Sequence, residues 1–433
     1  MIQTKQLELV RGIGRWSLVA LVVNTIIGSG IFGLPSLVAG LLGGLSPIAY
    51  VLGAAGIGVI AACFAEVASR FREAGGPYLY ARRAFGPLIG IEVAWLFYLT
   101  RVTGLAANSN LFVIYLSQFW PAAREPKMRI LVLLLLIGGL AAINYVGVKA
   151  GARTSDFFAV AKLLPLLLFV SVGLFFIHGG NFTIPHPAGP AHWFDALLIL
   201  VFAYKGFEAA LVPAGEVHDP QRDAPWALFV GLALVTVIYT SVQVVVVGVL
   251  PNAGSSDRPL ADAAQVFMGA RGSAILAFGA LLSIYGLMSS MMLNTPRLTF
   301  ALAERGDFPH FMAAVHPRFR TPYVSIIVFA ALVFLLAAAG TFRWNVVLSA
   351  VASLFIYVST CAAVPGLHSK EPGKATFVLP AGWLFAILGI SFCVPLAMRM
   401  DRAAFGIILA TIAVAGVNWF WARRSTESTI GTS

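Results

Sequence analysis

Long apolar segments, separated by short polar and basic loops, recur along the whole chain. Runs of about 18 or more apolar residues are long enough to cross the hydrocarbon core of a bilayer as helices. We count twelve such segments and predict an all-α integral membrane protein. The first segment is too long for the apolar part of a cleavable signal peptide, so we expect it to remain as a membrane helix.

Two of these segments contain glycine where a membrane helix should be continuous. Residues 16–42 include Gly-Ser-Gly at 28–30, and residues 192–214 include a glycine at 206 between two charged residues. Because lipid offers backbone groups no hydrogen-bond partner, an interruption is tolerated only where it faces a cavity. The N–H groups at the start of a half-helix attract an anionic group such as a carboxylate. The alternative is that these glycines only let a neighbouring helix approach closely.

The positions of the two interruptions indicate an internal repeat. They fall in the first and sixth segments, which gives one interrupted helix to each half of five helices. An odd number of helices per half inverts one half relative to the other. The predicted units are cytoplasmic tails at 1–15 and 423–433, a first repeat at 16–177 with helices 1–5, a second repeat at 192–364 with helices 6–10, and helices 11 and 12 at 376–422.

Composition supports a membrane protein and argues against several other classes. The 433 residues are 59% hydrophobic and 11% charged, with a mean hydropathy of +0.88 and a net charge of +11. The basic residues lie mainly in the loops of one predicted side, which fits the positive-inside rule rather than nucleic-acid binding. Cys63, Cys361 and Cys393 show no ligand spacing, so we expect no metal. Because phosphate-binding loops and the G-x-S-x-G and H-E-x-x-H motifs are absent, we expect no cofactor and no enzyme activity.

Several ionisable residues lie inside the predicted membrane helices, where charge is costly. Such groups usually face the interior of the helix bundle or a wet cavity and are candidates for function. They are Glu92, Arg101, Lys162, Lys205 and Glu208.

Four blocks of the sequence resemble motifs of the amino acid–polyamine–organocation (APC) transporters. They are Ile27-Gly28-Ser29-Gly30-Ile31-Phe32, Phe64-Ala65-Glu66 through Ala84-Phe85-Gly86, Tyr204-Lys205-Gly206-Phe207-Glu208 through Ala224-Pro225, and Asn294-Thr295-Pro296-Arg297 through Thr321-Pro322. Their order and places match the family from about residue 10 to 365. The resemblance implies a leucine-transporter-type fold, with a five-plus-five inverted repeat and broken helices 1 and 6, and a small amino acid as substrate.

The resemblance also implies where the amino acid binds. Its α-carboxylate would bind N–H groups of the first interruption, at Ile27, Gly28, Ser29 and Gly30. Its α-amino group would bind carbonyl groups freed where helix 6 unwinds, at Ala203, Tyr204, Lys205 and Gly206. Phe202 stands where the family often has a gating aromatic residue.

Two residues resemble those that couple transport to protons. Lys162 matches a lysine that many proton-coupled members carry in helix 5, where its ammonium occupies the space of a sodium ion in sodium-coupled relatives. Glu208 resembles an acidic residue that links the site to a gate and to pH. A structural role is the alternative for each: Lys162 could be a permanently charged filler, and Glu208 could bind backbone N–H groups at the break.

Arg101 and Lys205 depart from the commoner family pattern. Two extra cations near the substrate would repel basic amino acids and suit a carboxylate side chain. They would also suit neutral amino acids if Lys205 pairs with Glu208, three residues later on the same turn. Arg101 could instead pair with Glu92 or extend to the membrane interface.

These inferences combine into one expected function. We expect a secondary active transporter that works by alternating access and takes up neutral or acidic amino acids together with protons. The alternative is an obligate exchanger of two amino acids, or of an amino acid and an amine. We expect it in the lipid bilayer of a bacterial-type cell membrane, with both termini in the cytoplasm and no nucleic-acid partner.

Overall fold

A computed structural model describes residues 14–71, 75–147, 152–182, 189–208, 220–370 and 375–430 of the chain. Throughout these ranges the regular structure is helical, with α-helices and short 3-10 turns and no β-strand. The prediction of an all-α protein is therefore confirmed.

The α-helices follow one another with short connections. In chain order they are α1 (Arg15–Ile26), α2 (Gly30–Leu42), α3 (Ser46–Ala68), α4 (Gly76–Phe85), α5 (Pro87–Leu116), α6 (Pro126–Val146), α7 (Ala152–Gly173), α8 (Pro190–Tyr204), α9 (Pro220–Val249), α10 (Pro259–Glu304), α11 (Tyr323–Ala339), α12 (Phe342–Lys370), α13 (Gly382–Ala397) and α14 (Arg402–Ile430). Helix α10 is kinked at Gly269, whose φ of 66° is not helical.

Many of these helices are suited to a membrane. In the described ranges, seven helical segments are long and apolar enough to cross one, and five shorter apolar helices accompany them. Helices α6 and α14 expose large apolar side chains on the outside of the bundle, such as Leu135 and Leu409. Such surfaces are stable in hydrocarbon and costly in water. The twelve spans, the repeat and the division into units remain predictions.

Helix α5 lies at the centre of the bundle. It packs against α4, α10, α11, α12 and α14, while α2 and α3 both pack against α8. A nearly unbroken series of α5 residues from Val102 to Leu111 is buried. Helix α5 therefore forms a wall against which the ends of the shorter helices meet.

Charged side chains buried away from the centre have partners. Glu66 on α3 is fully buried, forms an ion pair with Arg70 at 3.1 Å and lies 2.6 Å from Nε2 of His368. Asp307, after α10, accepts hydrogen bonds from Arg82 at 2.6 Å and from the Tyr78 hydroxyl. These pairs follow the general rule that buried charges are compensated.

Candidate functional site

A cavity of about 70 Å³ lies where α1 ends, α2 begins and α8 ends. Space of this size holds on the order of five water molecules. The residues that line it are Thr25, Ile26, Gly28, Ser29, Gly30, Arg101, Gly104, Asn108, Phe202, Ala203, Lys205, Gly206, Leu287 and Met291. Helices α5 and α10 thus complete the wall.

The chain leaves the helical conformation at two places beside this cavity. Residues 27–29 separate α1 from α2, and Ile27 has an extended backbone with ψ of 97°. Helix α8 ends at Tyr204; Lys205 is extended, with ψ of 157°, and Gly206 has φ of 111°. A positive φ is readily adopted only by glycine, so the chain turns away from the α8 axis at this residue.

The two non-helical segments touch each other. A Cβ atom at Gly206 would lie 2.5 Å from the carbonyl oxygen of Thr25, and a Cβ atom at Gly30 would lie 3.2 Å from the Cα atom of Ala203. The glycines therefore permit an approach of backbone to backbone that a side chain would prevent. This closeness places the start of α2 beside the end of α8.

Tyr239 on α9 links the ends of α1 and α8. Its hydroxyl lies 3.0 Å from the carbonyl oxygen of Ile26 and 3.2 Å from that of Ala203. A hydroxyl carries only one hydrogen, so the two carbonyl groups share a single donor. Both oxygens keep capacity to accept a further hydrogen bond.

The first turn of α2 has unused donors. The backbone N–H groups of Ser29 and Gly30 have no hydrogen-bond acceptor among the described residues. The Ser29 hydroxyl donates to Asn108 Oδ1 on α5, and Asn108 Nδ2 donates to Met291 Sδ at 3.7 Å. These side-chain contacts fix Ser29 against α5, while its backbone N–H group stays free at a helix N-terminus.

Lys205 connects the end of α8 to α5 and α12. Its Nζ atom donates to the Ser349 hydroxyl at 2.6 Å and approaches the Thr100 carbonyl oxygen at 3.5 Å. The ammonium also lies 5.0 Å from the centre of the Phe202 ring, within range of a cation–π interaction. Lys205 forms no ion pair with any carboxylate that the structure describes.

Arg101 stands beside the same cavity. Its guanidinium carbon lies 4.6 Å from the centre of the Phe97 ring, one turn earlier on α5. Within the described part of the chain, the guanidinium has neither a hydrogen-bond acceptor nor an ion-pair partner. The expected alternative of a pair with Glu92 is not realised, because nine residues of helix separate the two side chains by about 13 Å.

Glu208 binds backbone rather than a cation. Its Oε2 atom accepts a hydrogen bond from the Gly206 N–H group at 2.9 Å. The pair with Lys205 that three-residue spacing suggested does not form, because Lys205 is extended and the spacing brings side chains together only on a helix. The carboxylate therefore satisfies a donor at the end of α8.

The structure brings together most of the residues predicted to bind substrate. Two of them, Ile27 and Tyr204, do not line the cavity: both are buried, and the Tyr204 hydroxyl donates to the carbonyl oxygen of Tyr50 at 2.9 Å. Lys162 belongs to α7, but its side chain lies outside the described residues. The predicted roles of all these residues in binding and coupling remain predictions.

Sequence reasoning missed part of the wall. The additional lining residues are Thr25, Ile26, Gly104, Asn108, Leu287 and Met291. Asn108 is the one with a local signal, since an amide inside an apolar segment is uncommon and Arg101, Gly104 and Asn108 share one face of a helix. Leu287 and Met291 are apolar residues of an apolar segment, and no local pattern distinguishes them from core residues.

Comparison with known proteins identifies the family. A model of the amino acid permease family matches residues 13–422. The chain is 26% identical to the branched-chain amino acid permease of Bacillus subtilis, over 95% of this chain and 93% of that protein. It is 28% identical to the methylthioribose transporter of Bacillus subtilis, over 96% and 94%. An uncharacterized transporter of Mycobacterium tuberculosis is also 28% identical, over 98% and 95%.

These matches cover nearly the whole chain and agree with its apolar helices and central cavity. The protein is a transporter and not an enzyme, it spans the membrane several times, and its family implies a small amino acid as substrate. The chain belongs to the amino acid permease family.

Proposed function

We propose that this protein is a secondary active transporter that takes up amino acids by alternating access and is driven by protons. The observation that carries the proposal is the meeting of two non-helical segments at one cavity, with donors on one side and acceptors on the other. An amino acid zwitterion needs both kinds of group, at a spacing of a few ångström.

The start of α2 would bind the α-carboxylate. The free N–H groups of Ser29 and Gly30 lie at the N-terminus of a 13-residue helix, where the helix dipole favours an anion. The α-amino group would bind carbonyl oxygens at the end of α8, including that of Ala203, which shares the Tyr239 hydroxyl with Ile26. The substrate would thereby join the two segments.

Alternating access would follow from the arrangement of the two halves. We interpret α1 and α2 as one interrupted membrane helix and α8 as the first part of a second. In this interpretation the repeats at 16–177 and 192–364 have opposite orientations, and one half moves relative to the other around the site. The excess of basic residues in alternate loops favours a cell membrane location with cytoplasmic termini.

Proton coupling is assigned to Lys162 and Glu208. A lysine in a membrane helix can lose its proton when burial disfavours the charged form. Glu208 accepts a hydrogen bond from the Gly206 N–H group at the edge of the cavity, so a change in its charge would alter this bond at the non-helical end of α8. The two residues would thus connect protonation to the segment that holds the substrate.

The names of the relatives do not indicate which amino acid side chain this protein accepts. Two relatives of similar identity are named for branched-chain amino acids and for methylthioribose. The backbone groups of Ser29, Gly30 and Ala203 would contact only the α-carboxylate and α-amino group. Selection of the side chain therefore depends on the remaining wall, formed by α5, α10 and the Lys205 side chain.

Uptake into proteoliposomes tests the proposal. Radiolabelled amino acids should accumulate in empty vesicles under an inward proton gradient, and amides or esters of the same amino acids should not compete. Lys162→Ala should abolish the response to the gradient, whereas Lys127→Ala, at an exposed position, should not. An obligate exchanger would be nearly inactive in empty vesicles and active after preloading. Full gradient dependence in Lys162→Ala would remove the coupling role of this lysine.

A further inference from the structure

We propose that the cavity selects an acidic amino acid, with Arg101 and Lys205 forming a subsite for the second carboxylate. This inference rests on the proposed function, since it assumes that the α-carboxylate and α-amino group bind at the two non-helical segments. It adds the class of substrate and two residues that determine specificity.

Arg101 is the first observation. A guanidinium has five N–H donors, and elsewhere in this protein buried or half-buried arginines use theirs: Arg82 binds Asp307, and Arg129 binds the carbonyl oxygens of Ala337 and Gly340. Arg101 lines the cavity and binds no acceptor among the described residues. A planar fork of donors facing a cavity fits a carboxylate, which it can bind with two parallel hydrogen bonds.

Lys205 is the second observation. Its ammonium has three donors, of which one binds the Ser349 hydroxyl and a second approaches the Thr100 carbonyl oxygen. The Ser349 hydroxyl in turn donates to the same carbonyl oxygen at 3.1 Å. These contacts hold the ammonium next to the residue that precedes Arg101, with one donor remaining for a ligand.

The formal charges of the described side chains at the cavity are balanced only if the ligand is an anion. Among the residues near the cavity that the structure describes, Arg101 and Lys205 are basic, with a formal charge of +1 each, and Glu208 is the one carboxylate, with a formal charge of −1. A neutral zwitterion would leave one positive charge uncompensated, and a basic amino acid would leave two. An acidic amino acid brings this formal charge to zero in a cavity enclosed by protein, where charges are screened less than in bulk water.

The spacing along α5 fits a dicarboxylic molecule. Asn108 contacts Ser29 at the proposed α-carboxylate position, and a Cβ atom at Gly104 would lie 3.6 Å from Lys205 Nζ. Gly104 and Asn108 are four residues apart on the helix, so these two positions are separated by about 6 Å along its axis. This is close to the distance between the two carboxylates of an acidic amino acid. A Cβ atom at Gly104 would also lie 3.4 Å from Met291 Cε, so the missing side chain leaves room for the Met291 and Lys205 side chains that line the cavity beside it.

The test compares L-glutamate with L-glutamine, which has the same shape without the second charge. Uptake and competition are measured in proteoliposomes with the wild type, Arg101→Met and Lys205→Met. Arg318→Met removes a positive charge from an exposed position and serves as the control. Loss of a buried charge partner typically costs a factor of about 100 or more in affinity. We expect the wild type to prefer glutamate by about this factor and each site variant to lose most of the preference while still transporting glutamine.

Two outcomes would overturn the inference while leaving the proposed function intact. One is a wild type that transports leucine or glutamine in preference to glutamate. The other is a glutamate preference that survives in both site variants. Because the ratio of glutamate to glutamine in the wild type decides without any variant, a misfolded variant does not prevent the test. A correctly folded wild type that transports no amino acid would overturn the proposed function and this inference together.

Discussion

The backbone of Gly206 lies directly against the carbonyl group of Thr25, so that a Cβ atom at Gly206 would be 2.5 Å from the Thr25 oxygen. Gly206 also has φ of 111°, which L-residues other than glycine rarely adopt. The contact therefore requires glycine for two independent reasons. It holds the end of α1 against the end of α8 at the edge of the cavity.

Replacing this glycine with alanine should damage both stability and transport. We expect Gly206→Ala to lower the free energy of unfolding by about 2 kcal/mol or more, since backbone strain and a steric clash each cost about 1–3 kcal/mol. Uptake should fall to background because the segments that would hold the substrate move apart. The measurements are the thermal unfolding midpoint in detergent and uptake in proteoliposomes.

Gly416→Ala provides the matched control for this change. A Cβ atom at Gly416 would meet nothing within 4 Å, and the residue lies in α14 with an ordinary helical backbone. This variant should unfold at the wild-type temperature or slightly above it. Wild-type stability and uptake in Gly206→Ala would contradict the close contact with Thr25.

Removing the hydroxyl of Tyr239 should loosen both helix ends at once. In Tyr239→Phe the carbonyl oxygens of Ile26 and Ala203 lose their shared donor in a buried place, which costs about 1–3 kcal/mol. We expect a lower unfolding midpoint and weaker apparent affinity for the substrate. Tyr98→Phe is the control, because the buried Tyr98 hydroxyl has no partner in the described part of the chain. Equal stability of the two variants would mean that the Tyr239 hydroxyl does not hold the helix ends.

The sequence predicted apolar helices and eight of the fourteen residues that line the cavity. The difference between the predicted and the missed residues has a physical reason. Apolar length is a local property, as are glycines and charges inside apolar segments, so Gly28, Gly30 and Gly206 could be identified directly. Asn108 carries a local signal as an amide in an apolar segment, but neither its contact nor that of Tyr239 could be assigned from local patterns. Their partners lie 79 and 213 residues away in the chain, at Ser29 and Ile26, and only the packing of the helices brings them together.

Whether Lys205 pairs with Glu208 depends on the backbone conformation between them, which the sequence did not determine. A pair between Lys205 and Glu208 requires a continuous helical turn, but α8 ends at Tyr204 and leaves Lys205 extended. The Lys205 side chain is then directed to Ser349 on α12, which lies 144 residues away. The break of the helix thus excludes the alternative in which Lys205 pairs with Glu208, and the Lys205 ammonium lies beside the cavity with no ion-pair partner among the described residues.

Tyr78 should make stability depend on alkaline pH. Burial of its hydroxyl and the hydrogen bond to Asp307 raise the pKa of Tyr78 from 10.0 to about 12. Since the folded pKa is raised, the neutral hydroxyl stabilises the protein fully below pH 10, and this contribution is lost as pH rises from 10 to about 12. The stability difference between the wild type and Tyr78→Phe should be constant below that window and shrink within it.

Thermal unfolding midpoints at several alkaline pH values measure this difference. Tyr323→Phe serves as the control, because the Tyr323 hydroxyl makes no hydrogen bond within the described residues. The control measures how much of the difference comes from removing a tyrosine hydroxyl that makes no such hydrogen bond. A gap between wild type and Tyr78→Phe that widens above pH 10 would have the wrong sign for a raised pKa and would contradict the contact with Asp307.

Two variants separate the two proposed roles of Glu208. One removes only its charge, and the other removes its charge and its hydrogen bond. Glu208→Gln keeps an oxygen that can accept from the Gly206 N–H group, whereas Glu208→Leu removes the acceptor as well. We expect the glutamine variant to unfold within about 0.5 kcal/mol of the wild type, and the leucine variant to lose about 1 kcal/mol because a half-buried donor is left without its acceptor. If Glu208 also carries the coupled proton, uptake by the glutamine variant should no longer respond to external pH. A glutamine variant with the pH response of the wild type would limit Glu208 to binding the backbone, and Lys162 would then be the remaining candidate for coupling.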